Sequence, residues 1–349
     1  MSFRLSRPAV ATGALAILLA ACSFSPTPSG SPRPDESFEA GSDDLVVYSG
    51  RTEELVGPII DRFTEETGIP VAVRYGDTAE MANLILTEGA NSPADVYFAQ
   101  DAGALGAVAG EGLLATLPED VLGQVDERFR SPDGQWVGLS GRSRVVAYNT
   151  DNVDPADLPD TIFGFTDPEW SGRIGWAPTN GSFQSFVTAL RVLEGEDRAR
   201  EWLEGIQANE PNVYEGNNPA LEAVIAGEID VAFINHYYLM QRLAEDPDVP
   251  AANYFVTDGD PGALVNVAGV GILESADQAD AAQRLVEFLL LEEAQAYFAD
   301  ETKEYPLAAG VEADPELPPL GDIGTPDIDL SDLSDLEGTL ELLQDVGIL

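Results

Sequence analysis

Two adjacent tyrosines, Tyr237 and Tyr238, follow a strand-like run at residues 229–234 and are well suited to metal chemistry. A free tyrosine has a pKa of about 10, so a cation must displace the phenolic proton near neutral pH. The phenolate oxygen is a hard, anionic donor that suits Fe3+ better than Zn2+ or Cu+. The pair alone leaves a second interpretation open, in which the rings pack in the core and their hydroxyls form hydrogen bonds.

The position of the pair within its element decides whether both hydroxyls can reach one ligand. In a regular strand, neighbouring side chains point to opposite faces. At a turn from strand to helix the pleat is broken, and two neighbours can converge on one point. The helical pattern that begins at the pair predicts such a turn.

A polar helix start in the segment WAPTNGSFQSF predicts an anion site. Asn180 and Ser182 are residue types that cap helices, and Gly181 between them allows a ligand to approach the backbone closely. The free N–H groups of such a helix terminus can hold an anion. Asn217 and Asn218 begin another predicted helix. For both segments, an ordinary helix cap without a ligand is the alternative.

Strand-like and helix-like segments alternate from about Leu45 onward. DLVVYSG reads as a buried strand, and the helix that follows it has its apolar residues on one face. The unit recurs twice before GLSGRSRVVAYNT, a long strand-like run that could cross to a second lobe, where the pattern restarts. Repeated βα units imply an α/β fold with a largely parallel sheet and helices on both faces.

The length of this part of the chain predicts two lobes. We assign residues 44–142 and 266–305 to the first lobe, and residues 143–265 and 306–349 to the second. In open α/β sheets, ligands bind beyond the carboxyl ends of the strands. The loops at those ends would then face each other across a cleft between the lobes.

The N-terminus resembles a secretory signal. Arg4 and Arg7 precede a short apolar run that ends in small residues before Cys22, so we expect residues 1–21 to be a signal peptide. The residues before Cys22 resemble the lipobox of bacterial lipoproteins, which implies a lipid-bearing cysteine on the outer face of the cell membrane. Residues 22–43 are rich in Ser, Pro and Gly and predict a flexible tether. The alternative is a plain signal peptide with an unmodified cysteine.

Composition excludes several classes of function. The chain has 62 acidic and 17 basic residues, a net charge of -45, which argues against nucleic acid as a partner. The acidic residues are spread along the chain, which favours a solvated surface suited to high salt over a functional acidic patch. One cysteine permits no disulfide framework. The sequence lacks the G-x-S-x-G, Walker A and H-E-x-x-H motifs, so we expect no enzyme, although a hydrolase with paired carboxylates stays open.

Six segments together resemble the ferric-ion-binding proteins of bacterial ABC importers, the bacterial transferrins. In chain order these are LVVYSGRTEELV, EGANSPADVYFAQDAGAL, WVGLSGRSRVVAYNT, IGWAPTNGSFQSF, GEIDVAFINHYYLMQRL and DPGALVNVAG. The resemblance implies a type II periplasmic-binding-protein fold, in which two mixed, mostly parallel sheets are flanked by helices and joined by crossover hinge strands. It runs from about Leu45 to the C-terminus.

The resemblance also implies a set of site residues. Tyr237 and Tyr238 match the phenolate ligands of the family, and a synergistic anion, phosphate or carbonate, would complete the coordination of the iron. The positions that match the anion site are Asn180, Gly181 and Ser182, with Asn217 and Asn235 as side-chain donors. His236 and Arg142 are expected to lie beside the ligands without touching the metal.

The first lobe departs from the pattern of the family. Where many members have a ligating histidine this chain has Thr52, and where they have a ligating glutamate it has Gln100, followed by Asp101. Three interpretations stay open. The second lobe holds iron with anion and water, a carboxylate such as Glu53, Glu54 or Asp101 reaches across, or the solute is a ferric chelate.

These observations predict a monomeric, membrane-tethered receptor outside the cytoplasm. It would close on ferric iron and deliver the iron to an ABC permease. The main alternative is the same fold with another small solute, such as a polyamine, thiamine or an organophosphonate.

Overall fold

The computed structural model describes Phe38 and residues 40–349. The predicted signal peptide, the predicted lipidation site Cys22 and most of the predicted tether lie outside the described residues. Within the described part of the chain, no helix combines the length and the apolar character that crossing a membrane requires.

Strands and helices alternate along most of the chain. The strands are β1 (Leu45–Ser49), β2 (Val71–Tyr75), β3 (Val96–Ala99), β4 (Val137–Asn149), β5 (Ile174–Trp176), β6 (Asn212–Val213), β7 (Val231–Asn235), β8 (Ala251–Tyr254), β9 (Val265–Ile272) and β10 (Tyr305–Pro306). The helices are α1 (Glu53–Thr67), α2 (Thr78–Glu88), α3 (Ala102–Gly110), α4 (Glu119–Leu122), α5 (Gly181–Glu194), α6 (Glu196–Ala208), α7 (Asn217–Ile225), α8 (His236–Glu245), α9 (Ala279–Leu289), α10 (Glu292–Asp300) and α11 (Leu336–Asp345).

The sheet consists of two parts, each with parallel strands at its outer side. In the first part, β1 pairs in parallel with β2 and β3, and β9 runs antiparallel to β3. In the second part, β5 pairs in parallel with β6 and β7. The buried strands are nearly continuous apolar runs, as expected where helices cover both faces. The predicted α/β class with a mixed sheet is confirmed.

The long strand β4 belongs to both parts of the sheet. Its residues up to Ser143 pair with β9, whereas Arg144 and the residues after it pair with β7. The chain therefore changes partner within one uninterrupted strand, close to the predicted boundary at 142/143. The division into two lobes stays a prediction, because residues 39–349 cluster as one compact unit.

Aromatic side chains fill the core of the second part. Trp202 of α6 is buried, and its ring lies 5.4 Å from Phe186 and 5.6 Å from Phe233, between centroids. Its indole N–H donates a 3.0 Å hydrogen bond to the carbonyl of Ile162. This cluster fixes α5, whose N-terminus bears the predicted anion residues, against the sheet.

The end of the chain packs against both parts. A 3-10 helix at Leu330–Ser334 lies on α3, which follows β3, and α11 lies on α5. Leu342 and Leu343 of α11 belong to the same core cluster as Trp202. The C-terminal residues thus connect helices that belong to different parts of the fold.

We predict that Trp202→Ala lowers the free energy of unfolding by about 3–5 kcal/mol, because it leaves a cavity and an unpaired carbonyl. Urea titration followed by circular dichroism measures the change. Val213→Ala is the control, since Val213 is 68 % exposed and its truncation should cost within about 0.5 kcal/mol. A loss below about 1 kcal/mol for Trp202→Ala would contradict the packing described.

Candidate functional site

Tyr237 and Tyr238 lie in the first turn of α8, directly after β7 ends at Asn235. Their rings stack, with centroids 4.2 Å apart and planes inclined by 28°. Tyr237 is buried, with 4 % of its surface exposed, and Tyr238 is partly exposed. The strand-to-helix turn therefore places the two phenol rings side by side.

The surroundings of Tyr237 favour its protonated form as long as no cation is bound. Burial raises the pKa of Tyr237 well above its ordinary value of 10.0, and the nearby Tyr238 and Glu304 raise it further. Arg142 acts in the opposite direction. Deprotonation of Tyr237 thus requires a strong positive charge at the oxygen, which a trivalent cation supplies.

A buried ion pair lies next to the tyrosines. Arg51 donates to both carboxylate oxygens of Glu304, at 2.9 and 3.1 Å, and both side chains are fully buried. Ser140 of β4 donates a third hydrogen bond to Glu304, at 2.6 Å. Burial favours the neutral acid, but Arg51 and Arg142 outweigh it and hold the pKa of Glu304 below its ordinary value. The charge of Arg51 is thus compensated within the protein.

The charge of Arg144 is not compensated in this way. Its guanidinium donates to the side-chain oxygen of Asn235 at 3.1 Å and to the carbonyl of Phe233 at 2.9 Å, and it lies 3.5 Å from the hydroxyl of Ser182. No carboxylate of the described residues pairs with it, and burial lowers the pKa of Arg144 to about 10. A buried cation without a counter-ion favours the binding of an anion.

The predicted anion residues are brought together at the start of α5. Asn180 caps this helix, because its side-chain oxygen accepts from the backbone N–H of Ser182 at 3.1 Å. Asn217 donates to Asn180 at 3.2 Å and to the Ser182 hydroxyl at 3.3 Å. Asn235 joins them through Arg144. A Cβ added at Gly181 would meet no atom within 4 Å, so space is open directly at the helix terminus.

A cavity of about 530 Å³ contains most of the predicted site. The predicted residues among its lining are Thr52, Gln100, Asp101, Arg142, Asn180, Gly181, Ser182 and Asn235, and Arg144 lines it as well. Asn217 contacts the lining through its hydrogen bonds to Asn180 and Ser182. Tyr237 and Tyr238 are not among the lining residues, and they adjoin the cavity through Asn235 and Arg144. The anion residues and the predicted first-lobe contacts therefore share one space.

The predicted first-lobe contacts differ in how many hydrogen bonds they already make within the protein. Asp101 caps α3, with one carboxylate oxygen 3.0 Å from the N–H of Ala104. Thr52 precedes α1, is exposed and makes no capping bond with its side chain. The backbone carbonyl of Gln100 accepts a hydrogen bond from Arg142. Thr52 and the second oxygen of Asp101 are thus the freest oxygen donors on this side.

His236 contacts the backbone on both sides of its ring. Its Nδ1 accepts from the N–H of Ser143 at 3.1 Å, so the proton is assigned to Nε2, which donates to the carbonyl of Lys303 at 3.1 Å. Burial lowers the pKa of His236 to about 4. Both nitrogens are used, which leaves none for a metal ion. Across residues 40–349, no group of three or more His, Cys, Asp or Glu side chains is placed to hold one.

Sequence reasoning missed Arg144 and the pair of Arg51 with Glu304. Arg142 and Arg144 stand at alternate positions of a buried strand, and two arginines in such a run were a signal that polar groups lie on one face. Arg51 and Glu304 are 253 residues apart, so no local pattern connects them.

The amino-acid sequence is similar to those of known solute-binding proteins. Residues 79–329 match the model of the bacterial extracellular solute-binding proteins. The Fe(3+)-binding periplasmic protein of Serratia marcescens is 33% identical over 309 residues, which cover 87% of this chain and 90% of that protein.

Solved structures resemble this chain in fold as well as sequence. Iron-bound HitA from Pseudomonas aeruginosa has a TM-score of 0.81 and 37% identity, over 87% of this chain and 99% of that chain. The Trichodesmium protein IdiA (FutA), solved with iron and citrate, has a TM-score of 0.77 and 30% identity, over 88% of this chain and 100% of that chain. The α/β fold is that of the type II periplasmic binding proteins.

We predict that Glu304→Gln lowers the free energy of unfolding at neutral pH by about 3–5 kcal/mol, since it leaves the Arg51 charge buried without a partner. The pKa of Glu304 lies below 4.5 in the folded protein, so the pair stabilises above that pH and loses its effect as the pH falls through the folded pKa. Urea titrations at neutral pH and at about pH 3 should therefore give a smaller difference in acid.

The exposed pair of Arg198 with Glu201 provides the control for this variant. Glu201→Gln should change the free energy of unfolding by less than about 1 kcal/mol at either pH, because exposed ion pairs contribute little. An effect of Glu304→Gln as small as that of the control would contradict the role assigned to the buried pair.

We predict that inorganic phosphate raises the melting temperature of the metal-free protein and that Arg144→Gln reduces this response. Loss of a charged hydrogen bond of about 1.5–3 kcal/mol should weaken phosphate binding by about 10- to 150-fold. Differential scanning fluorimetry across a phosphate series measures it. Arg173→Gln is the control, because Arg173 pairs with Asp230 outside the cavity lining. Equal responses in both variants would exclude Arg144 from the anion site.

Proposed function

The chain belongs to the bacterial extracellular solute-binding protein family, and we propose that it captures ferric iron with a synergistic anion and delivers the iron to an ABC permease. The relatives named above are iron-binding proteins by name or by the ligands of their structures, which supports iron as the solute. The observation that carries the proposal is the stacking of two phenol rings next to a cavity with an uncompensated buried cation.

The charges of the site account for the need of both a metal and an anion. Two phenolates from Tyr237 and Tyr238 neutralise two of the three charges of Fe3+. Phosphate or carbonate supplies the rest of the negative charge and is also a counter-ion for Arg144. The metal and the anion each reduce the free-energy cost of burying the other's charge, because a buried charge is stable only when it is paired.

The anion would be held by groups that lie together at the start of α5. The backbone N–H of Gly181 lies at this terminus, where the helix dipole favours negative charge, and the N–H of Ser182 would join it after leaving the side chain of Asn180. Asn217 and Asn235 supply side-chain N–H donors once their present partners rearrange. Arg144 lies beside them and adds a full charge.

The opposite side of the cavity completes the coordination less strongly. Thr52 and Gln100 are neutral, and one oxygen of Asp101 is engaged in capping α3. Water or the free oxygen of Asp101 would fill the remaining positions on the metal. His236 stays outside the coordination, because its two nitrogens bind the backbone of Ser143 and Lys303.

The electrostatics of the cavity argue against a cationic solute such as a polyamine. Arg142 and Arg144 both line the cavity and are buried, and Asp77 and Asp101 line it as well. Arg144 has no carboxylate partner among the described residues. A bare cation would therefore meet the uncompensated charge of Arg144, whereas an iron–anion pair brings its own compensation. The relatives named above bind solutes, and we infer that this chain is likewise a binding protein without catalytic activity.

The location follows from the family and from the N-terminal sequence. Extracellular solute-binding proteins act outside the cytoplasm, and an importer permease is their partner. We propose that Cys22 carries a lipid that holds the protein at the outer face of the cell membrane, and that the protein acts as a monomer.

We predict that the iron-loaded protein is orange to red and that Tyr237→Phe with Tyr238→Phe abolishes the colour, because the absorption is charge transfer from phenolate to Fe3+. Iron affinity should fall by more than the 10- to 100-fold typical for residues outside the coordination sphere. Absorption spectra and competition with a chelator measure both effects.

Tyr214→Phe is the matched control, because Tyr214 lies against Gly175 and is not among the residues that line the cavity. This variant should keep the colour and affinity of the parent. If the double variant also keeps them, iron is not bound by these tyrosines and the proposed function is wrong.

A further inference from the structure

The C-terminal residues 330–345 form part of the wall of the cavity. They comprise the 3-10 helix Leu330–Ser334 and α11, and we refer to them as the clasp. Leu333, Ser334 and Leu336 of the clasp are among the cavity-lining residues. The clasp touches α3 on one side and α5 on the other, so it connects the two walls between which a solute would lie.

The contact with α3 is an unusually close approach of two backbones. A Cβ at Gly103 would lie 2.4 Å from the carbonyl oxygen of Leu333, and a Cβ at Gly106 would lie 2.6 Å from that of Ser331. Real Cβ atoms do not come so close to backbone oxygens, so only glycine permits this seat. The seat therefore depends on two glycines one turn apart on α3.

The contact with α5 is built differently. Thr188 and Thr339 share a buried 2.7 Å hydrogen bond. Arg191 binds Thr339 at 3.0 Å and the carboxylate of Asp335 at 2.9 Å. Leu342 and Leu343 of the clasp are buried in the aromatic core. Hydrogen bonds, an ion pair and apolar burial thus anchor the clasp on this side.

The two contacts differ in strength for a physical reason. In the described part of the chain, the clasp forms hydrogen bonds within itself and its adjoining residues, to α5 and to Arg200 of α6, and none to α3. Its seat on α3 consists of van der Waals contact, which fades within a fraction of an ångström of separation. When α3 and α5 move apart, the seat on α3 should separate first and the clasp should stay with α5.

We propose that the clasp, seated on Gly103 and Gly106, is a positioning element that retains the bound solute. The inference rests on the proposed function, because a solute must lie in the cavity for its release to be slowed. With the clasp seated, α3 and α5 are held at a fixed separation around the cavity. Release requires the seat to break, whereas capture by an open protein does not.

The test compares the same substitution at two positions of α3. Gly106→Ala introduces a methyl group into the seat, and Gly110→Ala introduces it where a Cβ meets no atom within 4 Å. Both changes favour the helix, Gly110→Ala less so because Gly110 is its last residue, whereas only Gly106→Ala meets the clasp. We expect Gly106→Ala to release iron to an excess chelator about 10-fold faster or more, with an unchanged rate of iron capture, and Gly110→Ala to match the parent.

A second readout does not depend on iron. Hydrogen–deuterium exchange of the metal-free protein should increase at residues 330–334 in Gly106→Ala and stay at the parent level in Gly110→Ala. If the parent binds no iron, the proposed function fails, and the exchange data still decide whether the seat exists. Equal exchange at residues 330–334 in the two variants would show that the clasp is not seated on Gly106.

The remaining outcomes also decide the proposal. Suppose that Gly106→Ala folds and its exchange data show an opened seat. Iron release at the parent rate from this variant would then contradict the retention role of the clasp. Equally faster iron release from Gly106→Ala and Gly110→Ala would contradict it as well. If Gly106→Ala does not fold, Leu330→Ala decides, because it removes a buried side chain from the 3-10 helix that is seated on α3, adds no bulk and leaves the cavity lining unchanged. Faster iron release from this variant supports the clasp, and release at the parent rate overturns it.

Discussion

Positive charge buried inside a strongly acidic protein is the condition on which this site depends. The chain carries a net charge of -45, and yet Arg51, Arg142 and Arg144 are buried around one cavity and one pair of phenols. Only Arg51 has a carboxylate partner among the described residues, Glu304. Arg142 is held by carbonyls and also acts on Glu304, whereas Arg144 is held by Asn235 and the carbonyl of Phe233, which leaves its charge free to act on a ligand.

Strand β4 explains how these charges come to one place. Arg142 pairs with Asn266 of β9, and Arg144 pairs with Asn235 of β7, so one strand supplies a cation to each part of the sheet. Ser143 between them binds His236, whose other nitrogen binds the segment that leads to β10. The only histidine of the chain therefore links two backbone segments at this junction through its two ring nitrogens.

Local features of the site could be predicted from the sequence because short segments determine them. The cap at Asn180 and the turn that carries Tyr237 and Tyr238 depend on a few neighbouring residues. The α/β alternation depends on hydrophobic patterns of similar length. These features needed no knowledge of which elements pack together.

The unpredicted features depend on contacts between distant residues. Glu304 meets Arg51 only because β10 pairs with β4 near the end of β1. Gly103 and Gly106 lie in a run of small residues that indicates a helix. That run does not predict that the carbonyls of Leu333 and Ser331 lie against these two glycines. Such pairings require the assembled fold, and sequence patterns alone cannot supply them.

The open space in front of Gly181 also determines what a substitution at this position would do. Beyond its own turn of α5, a Cβ there would meet no atom within 4 Å, so a side chain would extend into the cavity and leave the packing of the core unchanged. A larger residue at position 181 would therefore make the cavity smaller without destabilising the fold.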